Sequence, residues 1–155
     1  MFKTDNFKFY NLNINHPEHQ KLIELFEMDE LVLEEFGDDF LGHLSERLDK
    51  TYVVANENDE LIGFLGFYEM VKAKVSFLDM HFSLEKSYRG IRDNSNETVG
   101  MKMVKESSDF LLANRKTIEY IQLSIHYHNK GSLAAAEAAG FIHFKQSFYR
   151  KERSK

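Results

Sequence analysis

The chain has 155 residues, 43% of them hydrophobic and 14 of them Phe, which is enough apolar bulk for one folded domain spanning residues 1–155 and excludes disorder. A net charge of −5 speaks against nucleic acid as a partner, and the absence of Cys excludes disulfides, thiolate nucleophiles and Cys-based zinc sites. The first residues, MFKTDNFKFY, carry no apolar signal segment, and no apolar run approaches the ~20 residues of a membrane span, so the expectation is a cytoplasmic protein with no membrane contact.

Residues 7–12 alternate as a first strand. Pro17, preceded by Asn15 or His16, marks a helix start. Leu22, Leu25, Phe26, Val32, Leu33 and Phe36 then recur at helical spacing, interrupted near residues 28–30. After Gly37 a second helical segment carries Phe40, Leu41, Leu44 and Leu48. Residues 16–50 hold eleven acids against three bases, a local charge of −8 that leaves +3 for the rest. That imbalance favours a cationic partner for this segment, or it simply solubilises helix surfaces.

Residues 51–55 and 61–68 read as a hairpin around a turn at 57–59, with Gly63 and Gly66 indicating a bulge or a close backbone approach. Residues 75–84 form a further strand with Phe77, Asp79, His81 and Ser83 on one face. A basic loop (85–96), a long helix (97–113, with Val99, Met103, Phe110 and Leu111 inward), a strand (118–125), a short helix (129–139) and a last strand (141–149) complete the order β-α-α-β-β-β-α-β-α-β. The fold class is α+β, with some parallel pairing in the second half: a mixed sheet of six to seven strands flanked by about four helices.

The informative stretch is a strand end, a basic turn and a helix start. A helix N-terminus offers unpaired N–H groups to an anion. Lys86, Arg89 and Arg92 add positive charge, while Gly90 and Gly100 let backbone come close to a phosphate. The sequence lacks the Gly-Lys-Ser/Thr ending of a P-loop and the spacing of a dinucleotide fingerprint.

Phe82-Ser83-Leu84, then Tyr88-Arg89-Gly90, then Thr98-Val99-Gly100 resemble the strand, turn and helix opening of the GNAT N-acetyltransferase superfamily. Asn129-x-x-Ser132 followed by Ala139-Gly140-Phe141 is similar to that family's next helix, and Gly63 to the glycine of its first hairpin. The resemblance implies that acetyl-CoA is the acyl donor and that no metal is needed. It further implies that the backbone of Phe82, Ser83 and Leu84 pairs with the pantetheine arm. The amides of Thr98, Val99, Gly100, Met101 and Lys102 would hold the pyrophosphate beside Arg89 and Gly90, with Asn129 and Ser132 lining the channel. The implied reaction moves an acetyl group to a primary amine, of a cationic small molecule or peptide if the acidic segment borders the acceptor. A homodimer is compatible with the family.

Three departures stand out. Residues 91–97 replace a much shorter family connection, so the cradle is either remodelled or flexible. Thr98 replaces a glycine, and Ala136 stands where many members carry the tyrosine that protonates the departing thiolate. Asp79 and His81 are candidate bases, or equally a buried hydrogen-bonded pair; Tyr127 and Tyr149 are candidate replacement acids. His126 and His128 share a face but have no acidic or thiol neighbour in sequence, which argues against a metal site. The alternative function is a CoA-binding sensor or interaction domain that has lost catalysis.

Overall fold

The structure, a computed structural model, describes residues 1–37, 39–45, 50–127 and 129–153. Its frame is one eight-stranded sheet in the order β1-β2-β3-β4-β5-β6-β8-β7. The strands are β1 (Phe2–Lys3), β2 (Lys8–Asn11), β3 (Thr51–Ala55), β4 (Leu61–Lys72), β5 (Val75–Leu84), β6 (Tyr120–Ser124), β7 (Ile142–Lys145) and β8 (Phe148–Glu152). All neighbours run antiparallel except β5 and β6, which are parallel and joined through a helical crossover. The mixed α+β class is therefore as expected, with more strands than the six to seven anticipated.

Helices cover both faces. On one lie α1 (Pro17–Glu27), α2 (Glu30–Phe36) and α3 (Phe40–Ser45); on the other lie α4 (Val99–Asn114) and α5 (Lys130–Ala138). Successive strand residues therefore feed different cores. Val53 and Phe64 pack with Leu22, Phe26, Val32 and Phe40, whereas Val54 and Leu65 pack with Met103, Leu111 and Ile121. That double cover explains why β3 and β4 are near-continuous apolar runs.

The N-terminal helical region has three helices where two were expected. His16 caps α1 with Pro17 in its first turn, and Asp29 ends the interruption by accepting the Leu31 N–H at 3.0 Å as the cap of α2. Gly37, at φ 69°, then terminates α2. Leu25, Leu33 and Leu41 are exposed rather than buried, because three short helices present narrower inward faces than two long ones. Leu48, the Phe36 side chain and His128 lie outside what is described. In α4, Met103 and Leu111 are fully buried, while Val99 and Phe110 pack on the core edge.

At the C-terminus the single anticipated strand is a hairpin. Gln146, at φ 49°, turns β7 back into β8, and β8 inserts between β7 and β6. β4 runs to Lys72 and joins β5 through Ala73 and Lys74, both at positive φ (52° and 66°). This two-residue turn has the backbone of a type I′ hairpin without its usual Asn-Gly signal. No described helix is long and apolar enough to cross a membrane.

Candidate functional site

The site begins where β5 and β6 part. Their parallel ladder ends at Met80 opposite Leu123, yet β5 continues to Leu84 with β4 alone as partner. The Glu85 N–H donates to the Ile62 carbonyl at 2.7 Å. Antiparallel alternation then turns odd-numbered residues of this end toward β4, so the peptide groups of Phe82 and Leu84 face the gap. Ser76, on the same even-numbered edge, accepts the Glu119 N–H at 2.8 Å lower down, in agreement with that phase.

Above the gap lies a cleft of about 490 Å³. Phe82, Ser83 and Leu84 form its floor; Thr98, Gly100 and Met101 come from the start of α4; Asn129, Gly131 and Ser132 come from the start of α5. Arg89, Gly90 and Arg92 line it from the turn, and Leu31 and Val32 from α2. Ten of the twelve residues expected to hold the donor thus share one cavity. Val99 and the Lys102 side chain do not line it.

Two helix N-termini converge here. Thr98 caps α4, its Oγ1 accepting the Met101 N–H at 3.1 Å and its carbonyl the Lys102 N–H at 3.2 Å. Two of the five amides expected in the cradle, those of Met101 and Lys102, are thus bonded within the helix. Asn129 caps α5, with Oδ1 accepting the Ser132 N–H at 3.2 Å. A Cβ added to Gly100 would meet only side-chain atoms at 3.8–3.9 Å, and one on Gly131 nothing within 4 Å. Both glycines line the cleft, so a side chain at either would narrow it.

The loop of residues 91–97 is folded into a compact turn. Asp93 Oδ1 accepts from the Ser95 and Glu97 amides at 2.9 and 3.1 Å, and Asn96 sits at φ 63°. Asp93 also pairs with Lys102, and that hydrogen bond together with those from Ser95 and Glu97 holds its carboxyl well below the usual carboxylate range. Lys86 stands in a 3-10 turn, exposed and off the cavity wall.

Beside the cleft, His81 Nε2 lies 3.2 Å from Asp79 Oδ2, with Asp79 buried and His81 about a quarter exposed. The His81 ring lies 6.0 Å from the His43 ring on α3 and 6.3 Å from that of Tyr68. His81, Phe82 and Ser83 line a small recess of about 20 Å³ under α3, with Phe40, Leu44 and Phe64 opposite. Sequence reasoning missed His43 and Tyr68, which come near His81 only through tertiary packing.

Tyr127 is 86% exposed beyond β6, and Tyr149 lies in β8 against the His143 ring; neither lines the cleft or the recess. Ala136 is fully buried in the α5 core. Among the described residues no three His, Cys, Asp or Glu side chains gather as a metal site. His126 is exposed just after β6.

The sequence matches no protein-family model and no curated protein. Solved structures do resemble it. A GNAT-family acetyltransferase from Bacillus anthracis superposes with a TM-score of 0.74 at 10% identity, over 97% of this chain and 96% of that one. Aminoglycoside acetyltransferase AAC(6')-Ib in complex with coenzyme A and kanamycin gives 0.67 at 17% identity, over 95% of each. The Campylobacter jejuni N-acetyltransferase PseH in complex with acetyl coenzyme A gives 0.61 at 15%, over 96% and 99%. The chain has the fold of the GNAT N-acetyltransferases.

Proposed function

We propose that the protein is an acetyl-CoA-dependent N-acetyltransferase acting on a primary amine. The observation that carries this reading is the open edge of β5 meeting two helix N-termini in one cleft. The residues fit the donor: the open edge at Phe82 matches an amide-bearing arm, the α4 start matches a pyrophosphate, and Gly100 and Gly131 line the cleft without side chains. When bound, acetyl-CoA supplies an activated acetyl group.

The chain's own part is orientation and proton handling. The Leu84 N–H, at the end of the open strand edge, would be the donor to the acyl oxygen as negative charge develops on it. Asp79 holds His81 Nε2, which makes Nδ1 the nitrogen that takes a proton from the amine. A base is required because an alkylamine near pKa ~10.4 is protonated at neutral pH. No side-chain acid is assigned to the departing thiolate, since Tyr127 and Tyr149 stand away from the cleft. The described acids of residues 16–50 line neither cavity, so they act on a cationic acceptor through their field rather than by contact.

The buried Ala136 favours one second reading, a CoA-binding domain without turnover. Calorimetric titration with acetyl-CoA, followed by CoA release across an amine panel, separates the two. The expected result is binding plus release, with His81→Ala lowering kcat by roughly 10²- to 10⁴-fold. Binding without release on any amine would support the second reading, and no binding would remove both.

A further inference from the structure

Arg89 stands in the cleft wall where the family resemblance makes it a phosphate neighbour, yet its donors are directed elsewhere. Nε donates to the Leu84 carbonyl at 2.9 Å, while Nη1 and Nη2 reach the two carboxylate oxygens of Asp29 at 3.3 and 2.6 Å. Three of the five guanidinium donors are thus used, two of them fork-on-fork against the Asp29 carboxylate. Asp29 is 7% exposed, and the same carboxylate caps α2 through the Leu31 N–H. Leu31 and Val32, the next residues of α2, line the cleft.

The pair therefore grips both sides of the cavity. On the floor, the Leu84–Glu85 peptide is held at both ends, by Ile62 through its N–H and by Arg89 through its carbonyl. That anchors Leu84 from its C-terminal side, next to the Ser83–Leu84 peptide whose N–H lies on the open edge of β5. On the opposite side, Asp29 sets the start of α2, and so the height at which Leu31 and Val32 close over the donor.

We propose that Arg89 and Asp29 form a single positioning pair for acyl transfer, aligning the Leu84 end of β5 and seating α2 as the facing wall, and that Arg89 is not a phosphate ligand. This rests on the acetyltransferase reading for its kinetic consequence but not for its structural one. A buried charge pair is costly to break from either side, which makes the two residues interdependent. A lysine at position 89 reaches Asp29 as a point charge but cannot hold Asp29 and the Leu84 carbonyl together.

The test compares Asp29→Asn, which keeps a capping oxygen, with Arg89→Lys, Arg89→Gln and the double variant that combines Asp29→Asn with Arg89→Gln. Hydrogen exchange is read at residues 30–36 and at Glu85. Calorimetry uses acetyl-CoA and, separately, adenosine 3′,5′-bisphosphate, which carries phosphates but no pantetheine. The pair predicts a kcat loss of about 10- to 100-fold for Asp29→Asn and Arg89→Gln alike. The double variant should be no worse than the poorer single one, within about twofold. Affinity for the bisphosphate should stay within about threefold of the parent, because no phosphate contact is lost. Arg89→Lys should keep α2 protected while exposing Glu85 to exchange.

A tenfold loss of bisphosphate affinity in Arg89→Gln, with Asp29→Asn unaffected, would instead make Arg89 a phosphate ligand and overturn the proposal. If the parent binds no acetyl-CoA, the acetyltransferase reading fails on its own. Exchange then still decides the pair, and unchanged protection in both charge-removing variants would sink it.

Discussion

The wall of the cleft made by β5, α4 and α5 asks something different of the sequence from the side where α2 lines the cleft and packs with α1 and α3. The first wall works through backbone: an open strand edge, two capped helix starts, and glycines whose absent Cβ keeps the cleft open. The second works through side chains and surface charge: Leu31 and Val32 over the cavity, Phe40 and His43 over the recess, and acids such as Glu24, Glu27 and Glu30 on the outside. A backbone-built wall tolerates few substitutions at its geometric points. A wall defined by an outer charge field tolerates many. Under the proposed function, that difference suits a constant donor facing a variable acceptor.

The comparison breaks first at Gly63. A Cβ there would overlap the Ser83 carbonyl oxygen and come within 3.2 Å of the Leu84 Cα, both backbone atoms at the cleft floor. Gly63→Val should cost about 3 kcal/mol or more, because neither strand can retreat without losing the ladder. Glu24→Gln and Glu27→Gln, on exposed positions of α1, should stay within about 0.5 kcal/mol. Urea midpoints for the three variants decide it, and a Gly63→Val protein as stable as its parent would end the distinction.

The same distinction governs what was legible in the amino-acid sequence. Turns, caps and strand ends are local, so Phe82–Leu84, Arg89-Gly90, Thr98 and Asn129 could be placed at one site through their resemblance to the family's motifs. What escaped was non-local or lacked a usual signal. Asp29 is sixty residues from Arg89, and no periodicity links them. Ala73-Lys74 makes a hairpin with residues that rarely adopt positive φ, and Gln146 does the same between β7 and β8. The order of the 91–97 loop depends on Asp93 finding Lys102 one helical turn beyond the cap, which a loop composition does not announce. His43 approaches His81 only because α3 packs over β4 and β5.

A smaller effect sharpens the donor wall. Thr98 differs from the glycine of related helix openings, and its Oγ1 caps α4 by accepting the Met101 N–H. Thr98→Ala should cost about 1 kcal/mol, and Thr98→Gly only a few tenths, as at other N-caps. If the wall is built from backbone, Thr98→Gly should bind acetyl-CoA at least as tightly as the parent despite losing the hydroxyl. Weaker binding by Thr98→Gly would assign the hydroxyl itself to the ligand.

The smallest effect distinguishes the walls by pH. His19 in α1 is buried, and its Nδ1 accepts the Asn13 N–H at 3.0 Å, which requires a neutral imidazole. Burial, assisted by the neighbouring His16 ring, holds its pKa below the ordinary value of 6.5. The unfolded chain therefore takes up this proton more readily than the folded one. The contribution of His19 to stability is complete above the unfolded value and is lost as pH falls through the folded one. Asp93 does not change across that window: its carboxyl is held below the carboxylate range and stays paired with Lys102. Acidification should loosen the α1 side while the α4 cradle holds. His19→Asn supplies an acceptor that does not titrate, so the difference in thermal midpoint between parent and variant should shrink as pH drops from about 7.5 to about 5. Hydrogen exchange should rise in α1 before it rises at residues 91–102. A midpoint difference independent of pH would mean that α1 is anchored by its apolar face alone, through Leu22, Ile23 and Phe26.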